Sequence, residues 1–158
     1  MNETHADWIA RLQLAAHPEG GWFRRIYTST EQVELPRGAR PLATAIYYLL
    51  NAEQPRGRLH RNRSDILHFL VDGGPLDYWV LSAEGELRRQ RLEASGDRFL
   101  MVEAGAWKAS ELVGEARHGL VAEVVTPGFD YADHEFADAE AIARRYPQHL
   151  AQLQVFLR

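Results

Sequence analysis

"RLHRNRSDILHFLVDGGPLDYWVLSAEGELRRQRLE", residues 58–93, decides the fold class. Short apolar runs, "DILHFLV", "PLDYWVLS" and "ELRRQRLE", are separated by "DGGP" (72–75) and "AEGE" (83–86). Each turn supplies a glycine where a tight reversal needs positive φ, so both are predicted as hairpins. The same punctuation extends outward to "GWFRRIYTS", "PLATAIYYLL", "RGRLHRNR", "RFLMVEAG", "AWKASEL" and "GLVAEVVTPG". About nine short strands with no helix between them predict an antiparallel sandwich or barrel rather than a parallel α/β sheet.

The flanks change period. Thr4 and Asp7 have the spacing of a capping box, and Trp8, Ile9 and Leu12 follow at helical intervals, so residues 5–15 are predicted as an amphipathic helix. After "TPGFDYADHEF" (126–136), Ala139, Ile142 and Tyr146 return to the helical period. Pro147 then opens a second helix carrying Leu150, Leu153 and Leu157. The expectation is one domain over 1–158: an N-terminal helix (1–16), an all-β body (17–136) and C-terminal helices (137–158).

With 158 residues, 46% of them hydrophobic, the chain can bury roughly two-thirds of its unfolded surface in one core. Eighteen Lys and Arg against 22 Asp and Glu leave a net charge of -4, which argues against nucleic acid or an anionic membrane as partner. No cysteine is present, so disulfides, thiolate nucleophiles and Cys-ligated metals are excluded. The N-terminus has no uninterrupted apolar run, and the expected location is cytoplasmic.

Side chains two apart on a strand share a face, so Arg58, His60 and Asn62 form one row. Ile66, His68 and Leu70 form another, and "RSD" between them is a plausible hairpin turn. A wholly polar row inside a barrel needs water or a ligand, which favours a functional His60 over a structural one that bonds a buried carboxylate, whereas His68 among apolar neighbours suits a core histidine. In "HPEGGWFRR", Gly-Gly permits a sharp strand entry; Glu19 and Arg24 either pair to pin it or stand at the rim of a binding cavity. Trp107 is core or a ligand platform. "TPGFDYADHEF" packs Asp130, Asp133, His134 and Glu135 together, and most of these are expected to be solvated loop charge. No Gly-x-Ser-x-Gly elbow occurs. Arginines in "RGRLHRNR" suit one small anion at most.

"HPEGGWFRRIY" (17–27), "TAIYYLL" (44–50), "HRNRSDILHFLVDGGPL" (60–76), "EAGAW" (103–107) and "TPGFDYADHEF" (126–136) resemble, in order, a branch of the cupin superfamily known as domain of unknown function 985. The resemblance implies a double-stranded β-helix, or jelly roll, with a cup between two sheets, as a homodimer. It assigns no reaction. Metal-binding cupins carry His-x-His, then Glu, then a His on a second motif. Here those positions hold His60, Asn62, Ile66 or Leu67, and Lys108, so no metal or other cofactor is expected.

The expected function is binding of a small, sugar-like molecule in the cup. If catalytic, the protein is a metal-independent epimerase or isomerase, with His60 as base, Asp130 or Asp133 as its carboxylate, and Tyr48 or Tyr78 as acid. Arg58, Asn62, His68, Trp107, Glu19 and Arg24 are the expected ligand contacts. A non-catalytic sensor and a metal-dependent oxygenase are the alternatives.

Overall fold

A computed structural model describes residues 5–157, with side chains from Asp7 onward; Thr4, half of the expected capping box, lies outside the described residues. Helix α1 (His5–Leu12) leads through β1 (Ala15–Ala16) into β2 (Trp22–Thr28). A small hairpin, β3 (Gln32–Leu35) and β4 (Gly38–Pro41), precedes β5 (Thr44–Asn51), β6 (Arg56–Asn62), β7 (Asp65–Gly73) and β8 (Leu76–Leu81). Then come β9 (Leu87–Leu92), β10 (Phe99–Val102), β11 (Trp107–Leu112) and β12 (His118–Thr126). A 3-10 turn (Tyr131–Asp133) and β13 (His134–Phe136) connect to α2 (Ala139–Arg145) and α3 (Leu150–Leu153).

Two sheets face one another. Sheet 1 runs β1-β2-β5-β12-β7-β10, and sheet 2 runs β13-β6-β11-β8-β9, with every pair antiparallel. From β5 to β12 the chain changes sheet at every connection except the β8–β9 hairpin. This is a jelly roll, the double-stranded β-helix, in which β1, β10, β13 and β9 remain as sheet edges.

All nine apolar runs read from the sequence are strands. "AEGE" is the hairpin between β8 and β9, with Gly85 at φ +87°. "DGGP" is not: β7 and β8 lie in opposite sheets, and Gly73 and Gly74 turn the chain across the cup. A Cβ on Gly73, at φ +75°, would stand 2.3 Å from the His118 carbonyl oxygen, so only glycine fits. "RSD" is likewise a crossing between sheets. The His60 and His68 rows therefore face each other across the cup rather than across a hairpin.

Strand alternation sorts the apolar residues. Tyr48, Leu50, Ile66, Leu70, Tyr78, Val80, Leu100 and Val121 fill the space between the sheets. Leu59, Leu81, Trp107 and Ala109 point out of sheet 2 and are covered by Ile142, Tyr146, Leu153 and Phe156 of the C-terminal segment. Two C-terminal helices form as expected, the second shortened to one turn between 3-10 segments. Helix α1 lays Trp8, Ile9 and Leu12 on Leu49, Leu120 and Trp22 outside sheet 1. It ends at Leu12 rather than residue 15 because Gln13 adopts φ +55° and turns the chain into β1.

Candidate functional site

The site begins at the His17–Gly21 loop. Gly20, at φ +95°, passes so close to β6 that a Cβ there would stand 2.4 Å from the Arg56 carbonyl oxygen. The Arg58 N–H donates to the Glu19 carbonyl oxygen at 2.6 Å, lacing the loop to β6. This passage drops the Glu19 side chain, 7% exposed, into the cup. There its Oε2 lies 3.1 Å from His60 Nε2.

His60 Nδ1 stands 2.6 Å from the Arg58 carbonyl oxygen, an acceptor, so Nδ1 carries the proton and Nε2 holds a lone pair. Nε2 and Oε2 are then both acceptors unless one proton lies between them. Glu19 and His60 are thus placed to hold one proton between them when the couple is protonated, and to present two facing lone pairs when it is not. Burial, then the charge of Lys108, holds the His60 imidazole well below its ordinary range. Burial raises the Glu19 carboxyl, against the pull of His17 and Lys108. Both shifts disfavour separated charges, which is the condition under which the proton is shared. His17 completes this end: its Nδ1 accepts from the Glu19 N–H at 3.0 Å, so its proton sits on Nε2.

A second polar group adjoins the first, because Lys108 is the β11 neighbour of His60 in the strand register. Lys108 Nζ lies 2.9 Å from His68 Nε2 and 3.3 Å from Glu123 Oε1. His68 Nδ1 donates to the Leu100 carbonyl oxygen at 3.1 Å, leaving Nε2 to accept from Lys108. Burial and then Lys108 hold His68 well below its ordinary range. Burial raises Glu123 despite the adjacent Lys108.

His17, Glu19, His60, Lys108 and Glu123 line a cavity of about 260 Å³, along with Phe23, Arg25, Ile46, Asn62, Phe129, Tyr131 and His134. That is slightly below the 300–1,000 Å³ of drug-sized ligand pockets, so it suits a small molecule. One wall is aromatic: Phe129 packs edge-on against Tyr131 at 4.9 Å, and the His134 ring stacks on His60 at 5.1 Å. Asn62 Oδ1 and His134 Nε2 are buried without a protein hydrogen-bond partner. Both atoms therefore have hydrogen-bonding capacity that the surrounding protein does not satisfy.

Of the expected contacts, Glu19, His60 and Asn62 line the cavity. Arg58 stays on their face of β6 but lays its guanidinium over Phe136 at 4.1 Å, and His68 sits behind Lys108, fully buried. Others lie elsewhere. Arg24 points outward and donates to the Leu12 carbonyl oxygen, so it does not pair with Glu19; its neighbour Arg25 reaches the cavity instead. Trp107 is on the outer face of sheet 2 beneath Arg61, because strand alternation turns Lys108 inward. Asp130 caps the 3-10 turn at the Ala132 N–H, and Asp133 is held by Arg40 at 2.8 and 3.0 Å, so neither is the partner of His60. Tyr48 gives its hydroxyl to the Gly20 carbonyl oxygen at 2.7 Å, and Tyr78 packs its ring on His68 in the core. Burial pushes both phenols well above their ordinary range.

Four of the ionisable cavity residues, His17, Lys108, Glu123 and His134, were not assigned roles from the sequence. Glu123 had a signal, a lone carboxylate within the apolar run "GLVAEVV", in register with His68. His134 had the weakest, since its inward direction depends on β13 pairing with β6, His134 opposite Asn62. His17 and Lys108 lay within quoted motifs without a role.

The buried imidazoles make stability pH-dependent. His17, His60, His68 and His134 are all held below their ordinary value, in each case first by burial. Unfolded, they take protons near pH 6.5; folded, they resist. Their stabilisation is therefore complete above about pH 6.5 and is lost as pH falls. Glu19 and Glu123, raised on folding, act in the opposite sense. Their contribution is complete below about pH 4.5 and wanes as pH rises. With four groups against two, the melting temperature is expected to fall from pH 7.5 to 5.5. Each imidazole adds a slope of up to about 1.4 kcal/mol per pH unit. Calorimetry showing a rise on acidification would mean that the carboxylates dominate.

The jelly roll with a cup between its sheets is the fold of the cupin class. Residues 6–137 match the family described as Cupin superfamily (DUF985), and the chain belongs to that family. It is 34% identical over 152 residues to the uncharacterized protein YML079W of Saccharomyces cerevisiae, covering 85% of this chain and 73% of that one. Its fold is similar to that of a hypothetical protein from Leishmania major, with a TM-score of 0.90 and 32% identity over 98% of both chains. Protein SO0799 from Shewanella oneidensis is similar at a TM-score of 0.89 and 31% identity over 99% of both.

The metal position of metal-binding cupins does not fit this chain. Ile66 is an apolar side chain in the core cluster, and Lys108 Nζ sits between His68 and Glu123 where a cation's ligands would converge.

Proposed function

We propose that the cup binds a small, hydroxylated, sugar-like molecule and transfers a proton on it, as a metal-independent epimerase or isomerase. The observation that carries this reading is the 3.1 Å approach of His60 Nε2 to Glu19 Oε2 with His60 Nδ1 already committed to Arg58. With no proton between them, two lone-pair atoms face each other in a buried site, which makes the couple a base. It removes a proton from carbon next to a carbonyl and returns one to the carbon or its neighbour. Lys108 Nζ has three hydrogens, two of them directed at His68 and Glu123; the third serves the substrate oxygen that gains charge. Tyr48 and Tyr78, expected as acids, do not line the cavity, so Lys108 takes that role.

Two measurements test this. Mass spectrometry of denatured protein identifies what co-purifies in the cup. Proton NMR in D2O then follows carbon-bound hydrogen exchange in hydroxylated aldehydes, ketones and acids incubated with the protein. Enzyme-dependent exchange is the expected result. A bound ligand with no exchange would favour the binding-only reading, which draws support from the position of both tyrosines outside the cavity.

The homodimer belongs to the same proposal. The C-terminal segment covers sheet 2, and α1 covers one end of sheet 1. The rest of sheet 1 presents Phe69, Val71, Phe99 and Met101, 39–48% exposed, on its outer face. A contiguous apolar face of this kind suits a two-fold contact with a second copy. Sedimentation is expected to give twice the 18.0 kDa chain mass, reduced to one chain by Phe69→Glu. An 18.0 kDa species at micromolar wild-type concentration would refute the dimer.

A further inference from the structure

Asn62 and His134 stand opposite one another where β13 pairs with β6, and both side chains line the cup. Cross-strand neighbours of this kind have Cβ atoms about 4.5–5.5 Å apart, near enough for a single atom to bridge their tips. Asn62 is 7% exposed, and its Oδ1 and His134 Nε2 are both buried without a protein partner, so the two do not bond each other either. We propose that Asn62 and His134 are a specificity pair, a subsite for one hydroxyl of the ligand, which donates to Asn62 Oδ1 and accepts from the His134 Nε2–H.

The chemistry of the two atoms selects that group. An amide oxygen only accepts, whereas an imidazole nitrogen that carries its proton donates. A hydroxyl answers both through one oxygen. A ligand carbonyl would leave Asn62 unpaired, and a methylene would leave both atoms as they are, so the pair distinguishes a sugar from its deoxy analogue. Its neighbours hold it in place before any ligand arrives. The His134 ring lies 5.1 Å from the His60 ring with planes 25° apart, and Phe136 meets it edge-on at 4.8 Å. The backbone carbonyl oxygen of Asn62 accepts from the Gly105 N–H at 2.8 Å.

Strand order gives the hydroxyl a position on the ligand. Sheet 2 runs β13-β6-β11 here, and in the register His60 has Phe136 on one side and Lys108 on the other. Lys108 therefore flanks His60 toward β11, while the Asn62–His134 pair lies further along β6 and toward β13. A ligand that reaches both crosses over the Glu19–His60 couple. Its carbonyl oxygen, at Lys108, and the recognised hydroxyl then lie on opposite sides of the carbon that loses its proton. The substrate class is a hydroxy aldehyde, ketone or acid whose hydroxyl-bearing carbon lies beyond the reacting carbon. That orientation rests on the proton-transfer reading above; the hydroxyl contact does not.

The test reads binding and stability, with no turnover. Isotopically labelled full-length protein is titrated with D-ribose, D-xylose, D-glucose and D-galactose and with the monodeoxy analogues of each, following the amide resonances around the cup. Removing one particular hydroxyl is expected to weaken binding by about 10–100-fold, the effect of leaving a buried partner unpaired. Asn62→Leu and His134→Phe, which nearly keep size and ring stacking, should each weaken the parent sugar toward its deoxy analogue and leave the analogue's own affinity unchanged. Without ligand, both variants should melt at or above the wild-type temperature, because an apolar group of similar shape replaces an unpaired buried polar atom. Discrimination kept in full by both variants would overturn the pair and leave proton transfer standing. A fall of several degrees in both ligand-free variants would also overturn it, by showing that the two atoms are bonded within the protein. No saturable binding of any of these sugars to the wild type would overturn the pair and the sugar reading together. Discrimination that holds while carbon-bound hydrogen fails to exchange supports the pair and removes proton transfer alone.

Discussion

Glu123→Ala is expected to lose about 3–5 kcal/mol of stability, because it leaves the Lys108 cation buried without its carboxylate. The side chains of Lys108 and Glu123 are 4% and 6% exposed, so solvent does little to screen the orphaned charge. In a chain of this length the loss lowers the melting temperature by roughly 6–20 °C. The intact pair contributes much less than its rupture costs. Burial raises the Glu123 carboxyl although Lys108 opposes it, which means that desolvation outweighs the ion pair. Replacing both partners with apolar residues, Lys108→Met with Glu123→Leu, should therefore recover most of the loss, short of the bond His68 Nε2 surrenders. Thermal melts of the two single variants and the double measure the coupling directly. A double variant as unstable as Glu123→Ala would show that volume, not charge, caused the damage.

His60→Ala should reduce solvent exchange of a bound substrate by on the order of 10²- to 10⁴-fold, the contribution of a positioned acid–base group. Glu19→Gln should do the same by a different route. Its amide donates to His60 Nε2, satisfying the lone pair that makes the couple basic, while nearly preserving shape. A purely structural role for Glu19 would leave the rate of the well-folded Gln variant close to wild type. Melting curves separate the cases: a slow variant that melts normally supports proton transfer, and one that exchanges normally removes Glu19 from the mechanism.

The sequence made the strands legible because the period-2 pattern and its glycine punctuation are local. "AEGE" behaves as a hairpin for that reason, and all nine strong runs pair as strands. The β3–β4 hairpin escaped notice because "QVELPRGARP" offers few apolar residues to alternate, and β13 because three residues make no period. "DGGP" and "RSD" signal turns equally well, but whether the strand after a turn pairs with the one before it or crosses to the other sheet is settled by packing of the whole core. That difference put His60 and His68 on opposite walls of one cup.

The site divides the same way. Residue identity alone excluded thiol chemistry and the four-ligand cupin metal motif, and alternation along β6 placed His60 and Asn62 on one face. Which carboxylate meets His60 was outside its reach. Glu19 comes from a loop 41 residues earlier, lowered into the cup by backbone contacts at Gly20, while Asp130 and Asp133 are taken by a turn cap and by Arg40. His134 faces the cup only because β13 adds to β6 in one register. Local pattern determines which residues can share a face, and only long-range pairing decides which faces meet. A buried polar cluster is made of those meetings.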